Sequence, residues 1–84
     1  MLTKSLAREL GPSIRVNAIA PGPVMWPEDG MDKALQARIV DLTALKRAGS
    51  PDDVARAVLF FATEAPYVTG QILAVDGGRS AAGW

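Results

Sequence analysis

Arg15-Val16-Asn17-Ala18-Ile19-Ala20-Pro21-Gly22 is the stretch on which the reading of this chain turns. Extended by one residue upstream, Ile14 to Ala20 reads as a short strand. Ile14, Val16, Ala18 and Ala20 share one face, and Arg15, Asn17 and Ile19 the other. Pro21-Gly22-Pro23 is expected to stop it sharply. Gln71 to Val75 reads as a second strand, closed by Asp76-Gly77-Gly78, a tight turn that needs positive φ. Helical sequence separates the two, so they make a βαβ unit with parallel strands and a right-handed crossover. Parallel strands need cover on both faces, and two strands with open edges rarely stand alone. The element pattern is therefore α/β and implies a wider sheet than these residues contain.

Working outward, Leu2, Leu6 and Leu10 recur every four residues and predict one apolar helical stripe. Gly11 is expected to cap that helix in a left-handed conformation, with Pro12 refusing to continue it. No convincing N-cap precedes Leu2, so the helix reads as entered partway along. Residues 22 to 30 form a loop rich in Pro and Gly, after which Met31, Leu35, Ile39 and Leu42 predict a second amphipathic helix. Gly49-Ser50-Pro51-Asp52-Asp53 is a strong helix start. Ser50 caps, Pro51 fits the first helical position, and the aspartates favour the positive helix end. This third helix is expected to run to about Glu64 and to be mostly buried. Val54, Val58 and Phe61 line one face, with Ala55, Leu59 and Ala62 beside them. Asp52 and Arg56 are spaced as an i,i+4 ion pair.

Composition narrows the function classes. With 84 residues there is room for one small domain with a thin core. Nine acidic residues balance nine basic ones, with no basic stripe for nucleic acid and no like-charge block for a membrane surface. The longest apolar run, Ala57–Ala62, is far too short to span a bilayer, and Met1-Leu2-Thr3-Lys4-Ser5 lacks the apolar core of a signal peptide. The cytoplasm is the expected location. With no Cys and no His, a disulfide framework, a Ser-His-Asp triad, a Cys-His pair and a His-ligated metal are all excluded. A carboxylate-only cation site survives that exclusion. The adjacent pair Asp52-Asp53 is explained without such chemistry by its place in a first helical turn.

Three segments read together resemble the short-chain dehydrogenase/reductase family. Arg15-Val16-Asn17-Ala18-Ile19-Ala20-Pro21-Gly22 resembles its sixth strand and following Pro-Gly turn. Gly49-Ser50-Pro51-Asp52-Asp53-Val54-Ala55 resembles the start of its last long helix. Thr69-Gly70-Gln71 with Val75-Asp76-Gly77-Gly78 resembles its last strand and closing turn. Leu2 to Leu10 is similar to the end of the helix that carries the family's catalytic Tyr and Lys. The resemblance implies that residues 1–84 are a single partial domain. In it they would be the C-terminal βαβ portion of a Rossmann-like doubly wound parallel sheet, with a preceding helix and a substrate-loop helix. Pro21-Gly22-Pro23-Val24-Met25-Trp26-Pro27-Glu28 looks most like the bacterial pteridine reductases, which reduce dihydropteridines or dihydrofolate with NADPH.

The family's remaining motifs are missing. Its Thr-Gly-x-x-x-Gly-x-Gly fingerprint has no counterpart here: the only Thr-Gly is Thr69-Gly70, and position 74 is Ala. Its Tyr-x-x-x-Lys pair has none either, because four residues after Tyr67, the only Tyr, stands Gln71. The resemblance places that pair just upstream of Met1 and the catalytic Ser earlier still, so Ser5, Ser13, Ser50 and Ser80 do not match it. No catalytic residue is therefore assigned, and the 84-residue chain alone is expected to be inactive.

In the family, hydride passes between a nicotinamide and a carbonyl or imine, while the Tyr moves the proton with a pKa lowered by the Lys. The resemblance assigns the cofactor side to Pro21, Gly22 and Val24. Gly22 would let the backbone approach the ring, and the Val24 backbone would hydrogen-bond the carboxamide. The plain alternative is that Pro21-Gly22 merely ends a strand. NADPH is the expected cofactor, with NADH not excluded. Trp26 stands where the family often has Thr. It either walls the substrate pocket, where stacking on a pterin contributes about 0.5–1.5 kcal/mol, or packs into a core or interface. Pro23 to about Leu45 would be the substrate loop, with Met25 and Met31 as packing residues. Asp76 is expected to brace the Gly77-Gly78 turn, Lys4, Arg8 and Glu9 to form a solvated face, and Tyr67 to be structural. The expected partners are a small-molecule substrate, the remainder of the same domain and further copies in a homo-oligomer. Two rival readings stand beside this one. The first is a non-enzymatic interaction module using Val54 to Ala62 and Ile72 to Val75. The second is a self-contained small binding domain.

Overall fold

A computed structural model describes residues 2–22 and 32–82. Along the chain run α1 (Leu2–Leu10), β1 (Ala18–Pro21), α2 (Lys33–Asp41), α3 (Pro51–Thr63), β2 (Ile72–Val75) and a short 3-10 turn at Ser80–Ala82. β1 and β2 pair in parallel, with Ala18 opposite Ile72 and Pro21 opposite Val75. The α/β class and the parallel pairing thus agree with the sequence reading.

The ladder sits nearer the carboxyl end than the residue pattern suggests. The Ala18 N–H donates to the Gln71 carbonyl at 2.9 Å, and the Gly22 N–H to the Val75 carbonyl at 2.9 Å. In a parallel pair, alternate residues of a strand serve one neighbour. The even-numbered residues of β1 therefore serve β2, and Pro21, which has no N–H, falls where β2 asks for none. Pro21 is the last residue of the strand rather than its stop. At the other end, Ile14 to Asn17 lie outside the ladder, held by a mixture of main-chain and side-chain bonds, the Gly70 N–H donating to the Val16 carbonyl at 2.7 Å. Asn17 Oδ1 accepts the Gln71 N–H at 3.0 Å, and Asn17 Nδ2 donates to the Val68 carbonyl at 3.0 Å. The Val16 N–H donates to Thr69 Oγ1 at 2.9 Å.

α3 starts as its sequence predicts and adds a second bond. Ser50 Oγ accepts the Asp53 N–H, and the Asp53 carboxylate accepts the Ser50 N–H at 2.8 Å, a reciprocal capping box with Pro51 in the first turn. The helix ends at Thr63, where the Glu64 N–H bonds the Phe60 carbonyl at 2.9 Å. Arg15 completes this end from the far side of the sequence. Its guanidinium donates to the Phe61 carbonyl at 2.8 Å and the Ala65 carbonyl at 3.0 Å. A cation there complements the negative end of the helix. Arg15, Asn17 and Ile19 share a cleft of about 220 Å³ with Val58, Phe61 and Ala62, so α3 covers this face of β1.

Three further expectations are corrected. α3 is not mostly buried: Val58 is 51% exposed, Leu59 60% and Phe60 48%, because two four-residue strands cover only one stripe of the helix. On α1, Leu2 is 75% exposed, Leu6 is half-buried, and Ala7 is the buried residue. Gly11 is not left-handed, since positive φ among the described glycines falls at Gly70, Gly77 and Gly78. Its N–H continues the helical pattern to the Ala7 carbonyl at 3.1 Å, and the Ile14 N–H bonds the Leu10 carbonyl at 3.0 Å, so no left-handed cap is needed. Lys4 is not merely solvated: Nζ donates to the Gly70 carbonyl at 3.1 Å and ties α1 to the approach to β2. The second helix starts at Lys33, and Met31 lies outside the described residues. The Asp52–Arg56 pair forms at 2.7 Å on an exposed face, where such pairs contribute little.

Arg47 reaches Asp53 at 3.0 and 3.3 Å. This hydrogen-bonded guanidinium, together with the Ser50 N–H, holds the Asp53 carboxyl well below the usual carboxylate range. A carboxyl depressed in the folded state stabilises the fold above its unfolded pKa of about 3.9, and that support is lost as pH falls through the folded value. NMR titration of the Asp53 carboxyl carbon should therefore find it ionised at a pH of about 3, and Arg47→Gln should move the transition up toward about 3.9. A carboxyl already protonated at that pH in the unsubstituted chain contradicts the geometry.

Candidate functional site

Parallel strands bring their carboxyl ends to the same edge, and here that edge is built from two turns. The Gly22 N–H closes the ladder on Val75, and β2 runs straight into Asp76-Gly77-Gly78. Asp76 braces its own turn, as expected. Oδ1 accepts the Gly78 N–H at 2.9 Å and Oδ2 the Ser80 N–H at 3.0 Å. The Ser80 hydroxyl and N–H, with the Gly78 N–H, hold this carboxyl below its ordinary value. Gly77 and Gly78 take φ of 61° and 87°, as the turn requires.

Gly22 is needed for space. A Cβ there would stand 2.5 Å from Asp76 Cβ and 2.6 Å from Asp76 Cα, so the two strand ends close only over a bare glycine. The same turn receives the segment that follows α2. The Leu45 N–H donates to the Gly77 carbonyl at 2.9 Å, and a Cβ on Gly78 would collide with Ala44 Cβ at 2.6 Å. Thr43, 1% exposed, donates its hydroxyl to the Val40 carbonyl at 2.8 Å and fixes the exit from α2.

Of the residues singled out by sequence, Pro21 lies exposed at the end of β1 and Gly22 half-buried beside it. Val24 and Trp26 lie outside the described residues. Tyr67 is fully exposed on the connector between α3 and β2. Thr43, Ala44 and Arg47 escaped the sequence reading. The only hint was that they fall between the second helix and the Ser50 cap. Beside the turn opens a cleft of about 390 Å³ lined by Leu45, Arg47, Asp53, Val75 and Asp76, with Arg47 engaged by Asp53. Among the described residues, no group of three His, Cys, Asp or Glu is placed to hold a metal ion, and no helix is long and apolar enough to cross a membrane. What the edge offers is an exposed Pro21, a half-buried Gly22 and a braced turn.

Residues 1–80 match the family model described as enoyl-(acyl carrier protein) reductase. The chain is 49% identical over 79 residues to a 3alpha-hydroxysteroid dehydrogenase of Mediterraneibacter gnavus, covering 90% of this chain and 32% of that protein. It is 40% identical over 78 residues to a dihydromonapterin reductase of Klebsiella pneumoniae, covering 93% of this chain and 32% of that protein. A crystal structure of a short-chain dehydrogenase/reductase from Burkholderia xenovorans superposes with a TM-score of 0.81 at 40% identity, covering 95% of this chain and 30% of that one. The chain thus spans about a third of the length of these relatives.

The Gly22–Asp76 approach is directly testable. Gly22→Ala inserts a methyl against main chain that cannot rotate away, and should destabilise the fold by about 1–3 kcal/mol in denaturant unfolding. A loss below about 0.5 kcal/mol, the range of an ordinary surface substitution, shows that the strand ends are not in contact.

Proposed function

Because the chain belongs to the short-chain dehydrogenase/reductase family, we propose that it is the C-terminal portion of a cytoplasmic NAD(P)H-dependent oxidoreductase domain, supplying the nicotinamide-side turn and the substrate segment. The observation that carries this reading is the position of Pro21-Gly22 at the carboxyl end of a parallel strand, with Pro21 exposed and Gly22 held by Val75 and Asp76. Open α/β sheets take their ligands at that edge. The residues present fit one end of a dinucleotide only: the strand ends over a bare glycine beside an exposed Pro21, whereas no Gly-rich phosphate loop lies in the sequence. When bound, the nicotinamide supplies the hydride. By the family resemblance, Pro21, Gly22 and the Val24 backbone would hold that ring and its carboxamide, and Trp26 would stand on the substrate side. NADPH is the proposed cofactor. The proposed substrate is a pteridine or another small carbonyl or imine, a choice supported by the residue 21–28 resemblance and by the dihydromonapterin reductase among the relatives.

The exposed Val58, Leu59 and Phe60 favour a second reading, in which the fragment acts only by association with further copies or with the rest of its domain.

One comparison separates the two. The 84-residue chain is assayed for NADPH oxidation with a dihydropteridine, beside a longer polypeptide that adds the family's upstream Gly-rich and Tyr-x-x-x-Lys segments. The short chain should show no turnover and the long one should bind NADPH and turn over. Turnover by the short chain alone refutes the division of labour proposed here. A folded long polypeptide that binds no NADPH leaves only the association reading.

A further inference from the structure

The Asp76-Gly77-Gly78 turn receives both flanks of the segment that joins β1 to α3. From upstream, Gly22 packs on Asp76 so closely that no Cβ fits between them. From downstream, the Leu45 N–H bonds the Gly77 carbonyl at 2.9 Å, and Ala44 sits where a Gly78 Cβ would be. The turn itself is stiffened from inside by the Asp76 carboxylate, bonded to the Gly78 and Ser80 N–H groups. Thr43, buried, bonds the Val40 carbonyl at the exit of α2, and a Cβ on Gly77 would stand 3.5 Å from its Cβ.

We infer that the Asp76-Gly77-Gly78 turn is a positioning element that fixes α2 relative to the carboxyl end of β1, so that it governs substrate affinity more than cofactor affinity. The substrate half of this inference rests on the function proposed above. The turn acts through α2 and residues 43–45, and its residues are positioning residues rather than catalytic ones. Gly78 is the sensitive position. Its φ of 87° and the Ala44 methyl both exclude a side chain, so a substitution there must push residues 43–45 off the turn while the β1–β2 ladder stays paired.

The test uses Gly78→Ala in the longer polypeptide, with Ala44→Gly added as the compensating change that removes the collision. Hydrogen exchange is followed in Lys33–Asp41 and in Ile72–Val75, beside the KM for dihydropteridine and the dissociation constant for NADPH. In Gly78→Ala, exchange across α2 and the KM should each rise about tenfold, with NADPH affinity within about twofold and β2 exchange unchanged. Adding Ala44→Gly removes the collision and leaves the strain at φ, so it should recover part of both effects and restore folding where the collision prevents it. Unchanged α2 exchange, an equal rise in β2, or no recovery in the double variant overturns the inference. If the unsubstituted polypeptide binds no NADPH, the proposed function fails, while the exchange data still decide the positioning claim.

Discussion

A parallel strand pair cannot be closed by a tight turn. The chain must leave the carboxyl end of one strand and return to the amino end of the next, and both strands then finish at the same edge. Here that edge is sealed by one hydrogen bond, from the Gly22 N–H to the Val75 carbonyl at 2.9 Å. The other features depend on this closure. It puts Pro21 where its missing N–H is harmless, sets Gly22 against Asp76, and brings the Gly77-Gly78 turn within reach of Ala44 and Leu45. A chain with few buried side chains thus holds its functional edge by main-chain closeness rather than by a deep core.

The energetics follow from the same shortage of surface. A parallel sheet is stable when both faces are covered. α3 covers the face bearing Arg15, Asn17 and Ile19, and its residues Leu59 and Phe60 remain exposed. Polar bonds carry an unusual share of the joining. Arg15 binds carbonyls at the end of α3, Asn17 bridges Val68 and Gln71, and Lys4 reaches Gly70. In the proposed reading, the rest of the domain lies against the uncovered surfaces, which explains why so apolar a helix was selected.

What the sequence made legible was local. The Ser50 cap, the Asp52–Arg56 pair and the Gly77-Gly78 turn each depend on residues within one turn of one another, and each formed. The parallel βαβ order followed from the helical sequence that separates the two strands. The strand limits did not, because Asn17 replaces a main-chain partner with a side chain, and Pro21 is tolerated only by virtue of which neighbour its strand serves. The reach of Lys4 to Gly70 and the crowding of Gly22 by Asp76 join residues far apart in the chain, and no spacing rule announces them. Burial of α3 was overestimated because apolar composition says what a helix prefers, not what lies beside it. Of the four proposed ligand-side residues, Pro21 and Gly22 stand at the expected edge, while Val24 and Trp26 fall outside the described residues.

The account stands on the parallel ladder ending at Gly22. NMR scalar coupling across hydrogen bonds tests it most directly, because it reports donor and acceptor as a pair. The account predicts couplings from the Ala18 nitrogen to the Gln71 carbonyl carbon and from the Gly22 nitrogen to the Val75 carbonyl carbon. Couplings that descend one strand while ascending the other, or a Gly22 amide with no carbonyl partner in β2, would contradict it.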